Sequence, residues 1–390
     1  MIEPAEIIVP KLSKELYLCS LRPALKDLLL HRIKPLKEEK EEKESDEFII
    51  KAENDSFYII NSINYKKDEE KENKEQNAKI ILINDEFPNI SKFNVEKYFK
   101  ILNKSRNYSL NYEYEFGSIV LYGEVVTSTQ TLLDKNMKLT QKLPNGFVTL
   151  ATQQVQGRGR GENSWISPPG CLLFSFVMRH SLNNKAAPVV FIQYLLSLAV
   201  VEAVRTEPSY KDIPLRLKWP NDIYVEKFND SSTSPELVKI GGVLLNSHVF
   251  ENEFLLIAGC GVNLNNSSPT TSINQLITTH NQSHSNDIKE LISQEELLAL
   301  ILVKFELFYK EFCENGRGFE PFFDIYYKRW LHSDQIVTLE THKNQKAKIL
   351  GITNDFGFLK ALIMDTNEIV ILQPDGNSFD MMKNMIIHKI

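Results

Sequence analysis

Several patterns that mark common protein classes are missing from this chain of 390 residues. Its four cysteines, Cys19, Cys171, Cys260 and Cys313, lie far apart, and none belongs to a CxxC pair. A zinc site or a disulfide framework is therefore not expected, and the cysteines are predicted to be reduced intracellular thiols. No run approaches the ~18 apolar residues that a membrane-spanning helix needs, so no membrane span is predicted.

A strong excess of charge of either sign is also missing, since the formal net charge is −6 at pH 7. This mild value argues against a generally nucleic-acid-binding chain, because such chains are usually basic. The N-terminus carries Glu3 and Glu6 and no basic start, which fits neither a secretory signal nor a transit peptide. We expect a cytoplasmic protein, with a mitochondrial pool made from another start site left open.

What the sequence does contain is a glycine–arginine stretch, residues 157–161 (GRGRG), between two segments that read as buried strands. Glycine lets the backbone approach a ligand closely. Arginine carries a planar cationic fork that matches carboxylate and phosphate oxygens. The stretch is therefore predicted to be a long basic loop between strands, a common place for a ligand site.

Two phosphate-binding patterns do not fit this loop. The dinucleotide fingerprint needs a glycine where Glu162 stands, and a GxxxxGK[ST] motif is absent. The alternative is a solvated glycine–arginine loop, as in disordered nucleic-acid-binding segments. It is disfavoured because those segments lie in long low-complexity tracts, whereas this stretch is flanked by strands.

Periodicity and composition divide the chain into three predicted regions. Residues 1–77 form an N-terminal extension of unknown role, with a helix from Pro23 to Ile33, strand character over 48–63, charged linkers and no helix-turn-helix pattern. Residues 78–333 alternate strands and helices, and Pro188 is placed in the first turn of an apolar helix over 189–204. Residues 334–390 change to short strands and turns, which predicts a small SH3-like β-barrel.

Two polar segments inside the middle region are predicted to be loops. Residues 226–236 read as a surface insertion, and residues 265–290 as an Asn/Ser/Thr-rich loop. His280 and His284 are four residues apart in the second loop, but no HExxH pattern is present and the setting is polar. An ordinary loop is therefore favoured over a metal site.

Four further motifs carry polar groups or glycines at strand ends. They are residues 127–130 (TSTQ), 218–222 (KWPND), 239–242 (KIGG) and 259–263 (GCGVN). The first lies where a predicted strand meets a predicted helix. Its side chains therefore either cap the helix or face a ligand. Glycines inside the last two motifs suggest backbone packed against a ligand or another strand.

Taken together and in this order, the five motifs resemble the biotin–protein ligase family, also called holocarboxylase synthetases. The resemblance covers about residues 78–390, including the ending at 374–380 (PDGNSFD). It implies an α+β fold with a mixed sheet and helices, similar to class II aminoacyl-tRNA synthetases and lipoate ligases, followed by the SH3-like barrel. The N-terminal region favours the eukaryotic type, without a repressor DNA-binding domain.

The resemblance also implies a two-step reaction. Biotin is activated with ATP to biotinyl-5′-AMP, with release of pyrophosphate, and is then transferred to a lysine of a biotin-acceptor domain. ATP and biotin are the implied substrates, and Mg²⁺ assists without a dedicated set of protein metal ligands. No enzyme nucleophile is needed, since the acyl adenylate is itself the activated species.

Carried over position by position, the resemblance assigns roles to individual residues. The implied biotin contacts are Ser128, Thr129, Gln130, Gln154, Arg158, Gly159, Arg160 and Lys239. The implied ATP contacts are Trp165, Lys218, Asn221, Gly241, Gly242, Gly261 and Asn263. Gln130 stands where bacterial members usually carry asparagine, which puts that contact in question.

Four of the residues are expected to act in catalysis: Arg158, Lys218, Lys239 and Asp222. Asp222 is a carboxylate among cations, and the hypothesis is that it orients the acceptor lysine, which must lose a proton to become nucleophilic. The alternative is a turn-forming aspartate with a structural role.

The implied partners are the biotin-acceptor domains of acetyl-CoA, propionyl-CoA, methylcrotonoyl-CoA and pyruvate carboxylases. No nucleic-acid or membrane partner is expected, and the sequence leaves open whether the protein is a monomer or a homodimer. One competing function is a lipoate/octanoate–protein ligase, against which the arginines and KWPND argue. Another is a nucleic-acid-binding protein, against which the net charge argues.

Overall fold

The computed structural model describes residues 10–37, 47–63, 78–83, 92–106, 113–227, 235–284, 286–374, 377–380 and 385–388. The chain divides into two compact units: unit 1 is Met1–Leu182 with Gly242–Glu306, and unit 2 is Asn183–Gly241 with Leu307–Ile390. Most of the expected charged linkers and of the polar insertion at 226–236, together with residues 375–376 of the C-terminal motif, lie outside the described residues.

The described strands, in chain order, are β1 (Glu15–Ser20), β2 (Phe48–Lys51), β3 (Ser56–Asn61), β4 (Ala78–Leu82), β5 (Ile119–Val126), β6 (Val148–Gln154), β7 (Gly157–Arg158), β8 (Ser164–Trp165), β9 (Cys171–Ser181), β10 (Leu215–Lys218), β11 (Asp222–Lys227), β12 (Glu236–Phe250), β13 (Glu253–Asn263), β14 (Ile336–Leu339), β15 (Gln345–Ile352), β16 (Leu359–Ile363), β17 (Ile369–Leu372), β18 (Asn377–Asp380) and β19 (Met385–His388). The described α-helices are α1 (Pro23–Ile33), α2 (Val95–Ser105), α3 (Thr129–Asp134), α4 (Met137–Thr140), α5 (Phe191–Arg205), α6 (Ile273–Ser283), α7 (Gln294–Glu314) and α8 (Phe323–Arg329).

Unit 1 is built on a mixed sheet. Across this sheet, neighbouring strands follow the order β12-β13-β9-β6-β5-β1-β4-β3-β2. The pairs β1–β4, β3–β4 and β5–β6 are parallel, whereas β1–β5, β6–β9 and β9–β13 are antiparallel. The mixed sheet with helices that was expected is confirmed.

The N-terminal region is part of this sheet, which corrects the boundary expected at residue 78. Strand β1 lies between β4 and β5, with Leu16 paired to both Ile80 and Gly123. Leu16 and Leu18 point into the core, and Phe57 and Ile59 of β3 are buried with them. The described part of residues 10–63 therefore belongs to unit 1, because its alternating apolar side chains complete the core.

One apolar core of unit 1 joins the N-terminal elements to α3 and α4. Leu29 and Ile33 of α1 are buried in one cluster with Leu133 of α3 and Leu139 of α4. The cluster encloses a cavity of about 30 Å³ whose lining is almost entirely apolar. The short helices α3 and α4 thus take their position from the N-terminal elements as well as from the sheet.

Two local predictions for the middle region are wrong. Residues 273–283 form helix α6 rather than a loop, because Ile273 and Ile277 are buried and Asn274 holds the backbone of Ile292 through two hydrogen bonds. Pro188 lies before α5 rather than in its first turn, since that helix begins at Phe191. The predicted helix α1 is confirmed, and the two segments predicted as strands on either side of the glycine–arginine stretch are β6 and β9.

Unit 2 contains β10, β11, the start of β12, α5, the end of α7, α8 and a C-terminal sheet. The C-terminal strands pair in the order β17-β16-β15-β14-β19-β18. Helix α5 is buried over most of its length, and its Tyr194 hydroxyl donates to the carbonyl of Gly357 at 2.7 Å. A C-terminal sheet is thus confirmed, and its closure into an SH3-like barrel stays a prediction.

Candidate functional site

A buried polar cluster lies in unit 1 where β5 leads into α3. Its members are Ser128, Thr129, Gln130, Gln154 and Ser175, hereafter the polar cluster. Gln154 Oε1 accepts from the backbone N–H of Thr129 at 2.8 Å, and the hydroxyls of Thr129 and Ser175 lie 2.8 Å apart. The side chain of Ser128 makes no cap hydrogen bond to α3, so the capping interpretation is wrong for this residue.

Gln130 holds a buried acceptor that has no hydrogen-bond partner. Its side-chain amide N–H donates to the carbonyl of Ile257 at 2.9 Å, which fixes the orientation of the amide. The opposite atom, Oε1, is buried without a partner. A Cβ on Gly259 would lie 2.4 Å from that oxygen, so a side chain at this position would have to displace the amide. A buried acceptor without a hydrogen-bond partner lowers the stability of the folded protein unless a donor reaches it.

The glycine–arginine stretch is a small hairpin rather than an open loop. Strands β7 and β8 pair through Gly157 with Trp165 and Arg158 with Ser164. At the turn, Gly161 has a φ of 61°, which favours glycine. The backbone N–H of Gly159 donates to the carbonyl of Asn163 at 2.8 Å. The hairpin holds Arg158 on a short paired strand, and that arginine is partly exposed.

Arg158 is held by an acidic side chain that the sequence did not single out. A guanidinium N–H of Arg158 donates to Asp134 Oδ2 at 2.8 Å, and His248 Nε2 lies 2.9 Å from Asp134 Oδ1. Burial alone would raise the pKa of the Asp134 carboxyl, but hydrogen bonds from Arg158, His248 and Asn246 lower it below its ordinary value. Asp134 is therefore charged at neutral pH.

Four residues assigned to ATP lie inside unit 1: Trp165, Gly242, Gly261 and Asn263. Trp165 of β8 packs against β13, where a Cβ on Gly261 would come within 2.7 Å of the indole nitrogen. Asn263 donates to the Thr270 hydroxyl at 2.8 Å and accepts from the Cys171 thiol at 3.4 Å. Asn263 therefore fastens the loop after β13, and Gly261 makes room for the indole. Gly242 lies on β12 in the same unit.

In unit 2, the KWPND motif forms the turn between β10 and β11. Lys218 and Asp222 are paired across this turn, and Asn221 is buried within it. Asp222 Oδ1 lies 2.7 Å from Lys239 Nζ on β12, and Gly241 follows on the same strand. The carboxylate that was expected to stand alone among cations already has a lysine as its partner.

A buried histidine of unit 2 holds this turn in place. The backbone N–H of Trp219 donates to His332 Nε2 at 3.1 Å, and the other ring nitrogen is 3.0 Å from Gln335 Oε1. Burial lowers the pKa of His332 to about 4, with a smaller lowering from the charge of Lys218. His332 is therefore neutral near pH 7 and can accept the hydrogen bond.

Sequence reasoning missed three residues of this arrangement. Ser175 could have been found, because it is the one hydroxyl in the apolar run 171–178. Asp134 and His248 had no local signal, since their contacts join residues 24 and 114 positions apart. Across the described ranges, no group of three or more His, Cys, Asp or Glu side chains is placed to hold a metal ion. No helix in the described ranges is both long and apolar enough to span a membrane.

Comparisons with known proteins show which family this chain resembles. The model of the biotin/lipoate A/B protein ligase family matches residues 122–263. A biotin–protein ligase of Schizosaccharomyces pombe is 40% identical over 306 residues, which are 76% of this chain and 46% of that protein. A human biotin–protein ligase is 41% identical over 279 residues, 70% of this chain and 36% of that protein.

Biotin–protein ligase 2 of Arabidopsis thaliana is 33% identical over 313 residues, 77% of this chain and 83% of that protein. The matched parts thus span less than half of the Schizosaccharomyces pombe and human relatives and most of the Arabidopsis relative.

Proposed function

Since the chain belongs to the biotin–protein ligase family, we propose that it activates biotin with ATP and attaches it to a lysine of an acceptor protein. In the first step a biotin carboxylate oxygen attacks the α-phosphorus of ATP, and the bond to pyrophosphate breaks. In the second step a deprotonated lysine amine attacks the acyl carbon of biotinyl-5′-AMP, and AMP leaves. The chemistry requires positive charge near the anions and needs no enzyme nucleophile.

The observation that supports biotin most directly is the buried acceptor of Gln130. A ureido ring offers two N–H donors and one carbonyl acceptor. The polar cluster offers the Oε1 atom of Gln130 as an acceptor and the hydroxyl of Ser128 as a donor. The Thr129 hydroxyl would donate to biotin by exchanging its present contact with Gln154 or Ser175. A ureido N–H that reaches Gln130 would remove the cost of its unpaired oxygen.

For the remaining residues we propose the roles that the resemblance implies. Arg158 and Arg160 hold the biotin carboxylate and then the phosphate of the adenylate, with Gly159 allowing close approach. Lys239 contributes to carboxylate binding. The nucleotide is bound by the residues Trp165, Lys218, Asn221, Gly241, Gly242, Gly261 and Asn263. Asn263 and Gly261 act through the shape of the β13 end rather than through free polar groups.

Magnesium is proposed to arrive with the triphosphate. Mg²⁺ commonly keeps several waters and binds through phosphate oxygens and one or two carboxylates. In the part of the chain that the structure describes, no group of three or more acidic, histidine or cysteine side chains is placed to hold a metal ion. Its chemical contribution when bound is to neutralise phosphate charge.

Asp222 is proposed to orient the acceptor lysine in the second step. It already binds one ammonium group, that of Lys239 at 2.7 Å, so its oxygens suit a lysine. The two half-reactions, measured separately for Asp222→Asn, test this role. We expect lysine transfer to fall more than adenylate formation, and equal losses in the two steps would contradict the assignment.

The acceptor lysines are proposed to lie in biotin-dependent carboxylases, with the acetyl-CoA, propionyl-CoA, methylcrotonoyl-CoA and pyruvate enzymes as candidates. Transfer of labelled biotin to their isolated acceptor domains would rank them. The cytoplasmic location expected from the sequence remains a prediction, which cell fractionation would test.

The proposed activity is tested by pyrophosphate exchange into ATP with biotin, lipoate or octanoate as the acid. We expect exchange that depends on biotin and is at least tenfold weaker with the other two acids. Exchange that prefers lipoate or octanoate would assign the chain to the other branch of the family. No exchange with any of the three would overturn the proposal.

A further inference from the structure

Asp134 connects three elements of unit 1 that carry the proposed biotin site. It is the last residue of α3, its Oδ2 atom binds Arg158 of the β7–β8 hairpin, and its Oδ1 atom binds His248 of β12. The aspartate is mostly buried, whereas Arg158 and His248 are each partly exposed. A carboxylate that is also hydrogen-bonded by His248 and Asn246 has a fixed orientation, so it can fix the position of the more exposed arginine.

The position of Asp134 on α3 ties the arginine to the polar cluster. Helix α3 begins at Thr129, whose N–H and hydroxyl belong to the cluster. At a rise of 1.5 Å per residue, the five steps from Thr129 to Asp134 span about 7 Å along the helix. A short rigid segment therefore separates the groups proposed to bind the ureido ring from the carboxylate that holds the arginine.

The ion pair leaves Arg158 able to bind an anion as well. A guanidinium carries five N–H donors in a rigid fork, and the bond to Asp134 uses an N–H of its NH1 nitrogen. An arginine held on one side by a carboxylate can present its other N–H groups in a fixed direction. Such preorganisation is what a clamp on a charged intermediate requires.

We infer that Asp134 is a positioning residue for the proposed reaction, which fixes the Arg158 guanidinium relative to the polar cluster so that it retains biotinyl-AMP. The inference rests on the proposed function and adds a residue to it. Asp134 itself does not touch the reacting atoms. It acts through Arg158, and His248 on the far side keeps the carboxylate from turning away.

The first test measures position without enzyme activity. Trypsin cleaves after Arg158 and Arg160 only when the β7–β8 hairpin opens to the protease. For Asp134→Asn we expect cleavage about two- to fivefold faster than in the full-length wild type, since a partly exposed ion pair contributes up to about 1 kcal/mol, a factor of about five. Equal cleavage rates would overturn the inference.

The control for this test is Glu253→Gln. It removes another partly exposed ion pair of unit 1, in which Glu253 binds Arg179 at 2.6 Å between β13 and β9. Arg179 also donates to the carbonyl of Gln141 at 2.7 Å, and both of these partners lie outside the hairpin. We expect cleavage after Arg158 at the wild-type rate. Faster cleavage in this variant would mean that any lost ion pair loosens the hairpin, and would overturn the specific role of Asp134.

The second test measures release of free biotinyl-AMP by the full-length protein supplied with biotin and ATP. Arg158→Gly is expected to form the adenylate and lose it to solvent, and Asp134→Asn to release it about two- to fivefold faster than wild type. In the double variant the release rate should equal that of Arg158→Gly alone, because Asp134 acts only through the arginine. Additive effects would overturn the inference.

The outcomes separate this inference from the proposed function. If the wild type forms no biotinyl-AMP, the proposed function fails, and the trypsin test still decides whether Asp134 positions the arginine. If the wild type forms and retains the adenylate while Asp134→Asn retains it equally well, the proposed function stands and the inference fails.

Discussion

Leu29 gives a direct test of whether the N-terminal region packs as part of unit 1. It lies on α1, is 2% exposed and lines the apolar cavity shared with α3 and α4. Replacing a buried leucine by alanine usually costs about 2–5 kcal/mol, through lost transfer energy and the space left behind. The existing cavity would grow, so we expect a cost in the upper half of that range for Leu29→Ala.

The adjacent residue provides the matched control. Leu28 is on the same helix but is 45% exposed, and a substitution on such a surface usually changes stability by less than about 0.5 kcal/mol. Urea unfolding followed by circular dichroism would compare Leu28→Ala and Leu29→Ala with wild type. Equal midpoints for the two variants would show that α1 does not pack on the core of unit 1.

Removal of all residues before Ala78 extends the same reasoning. Among the described residues, the deletion takes away seven leucine, isoleucine and phenylalanine side chains of the core that are at most 3% exposed: Leu16, Leu18, Leu29, Ile33, Ile50, Phe57 and Ile59. At about 1.5–3 kcal/mol each, their burial contributes more than about 10 kcal/mol. That is comparable with the whole stability of a domain, about 5–15 kcal/mol. A shortened chain that unfolds at the wild-type temperature would refute the packing described for β1.

Three further predictions concern substitutions of single residues. Asn136→Ala removes four hydrogen bonds to Asp55, Asn54 and Leu132. We expect thermal unfolding to show a free energy of unfolding that is lower by about 2–4 kcal/mol. Gly259→Ala would push into Gln130 Oε1, and we expect the KM for biotin to rise at least tenfold with little change in the KM for ATP. The folded-state pKa of His332, about 4, lies below the unfolded value of about 6.5. Its contribution of about 3 kcal/mol is therefore complete above pH 6.5 and is lost as pH falls towards 4. His332→Gln should flatten the fall in melting temperature over that interval.

Local sequence patterns predicted the elements that carry a clear signal, such as a proline at a helix start or a continuous apolar run. Helix α1 has proline at its start and was predicted with the bounds it has, and β9, the apolar run after the glycine–arginine stretch, was predicted to be a strand. Helix α6 was missed because its threonines, asparagines and serine are weak helix formers. What makes it helical is tertiary: Ile273 and Ile277 are buried, and this contact is not visible in a local window.

The motifs located the site, but only the structure shows what holds it. The sequence indicated residues 127–130 and the glycine–arginine stretch, and the family resemblance implied that Arg158 binds an anion. It could not show that β1 inserts between β4 and β5, since pairing across more than 60 residues has no local signature. For the same reason it could not pair Arg158 with Asp134, or Asp222 with Lys239.

Helix α3 explains why the N-terminal region and the glycine–arginine hairpin bear on the same chemistry. A helix of six residues is too short to be stable by itself, so its position must come from contacts at its ends. At its start Thr129 is bound by Gln154. At its end Asp134 is bound by Arg158, and two residues later Asn136 is bound by the turn at residues 53–55. We therefore expect a change in that turn to shift the helix that joins the polar cluster to Asp134 and its bound arginine. Under the proposed function, the N-terminal region would then affect biotin binding through α3 rather than through contact with the ligand.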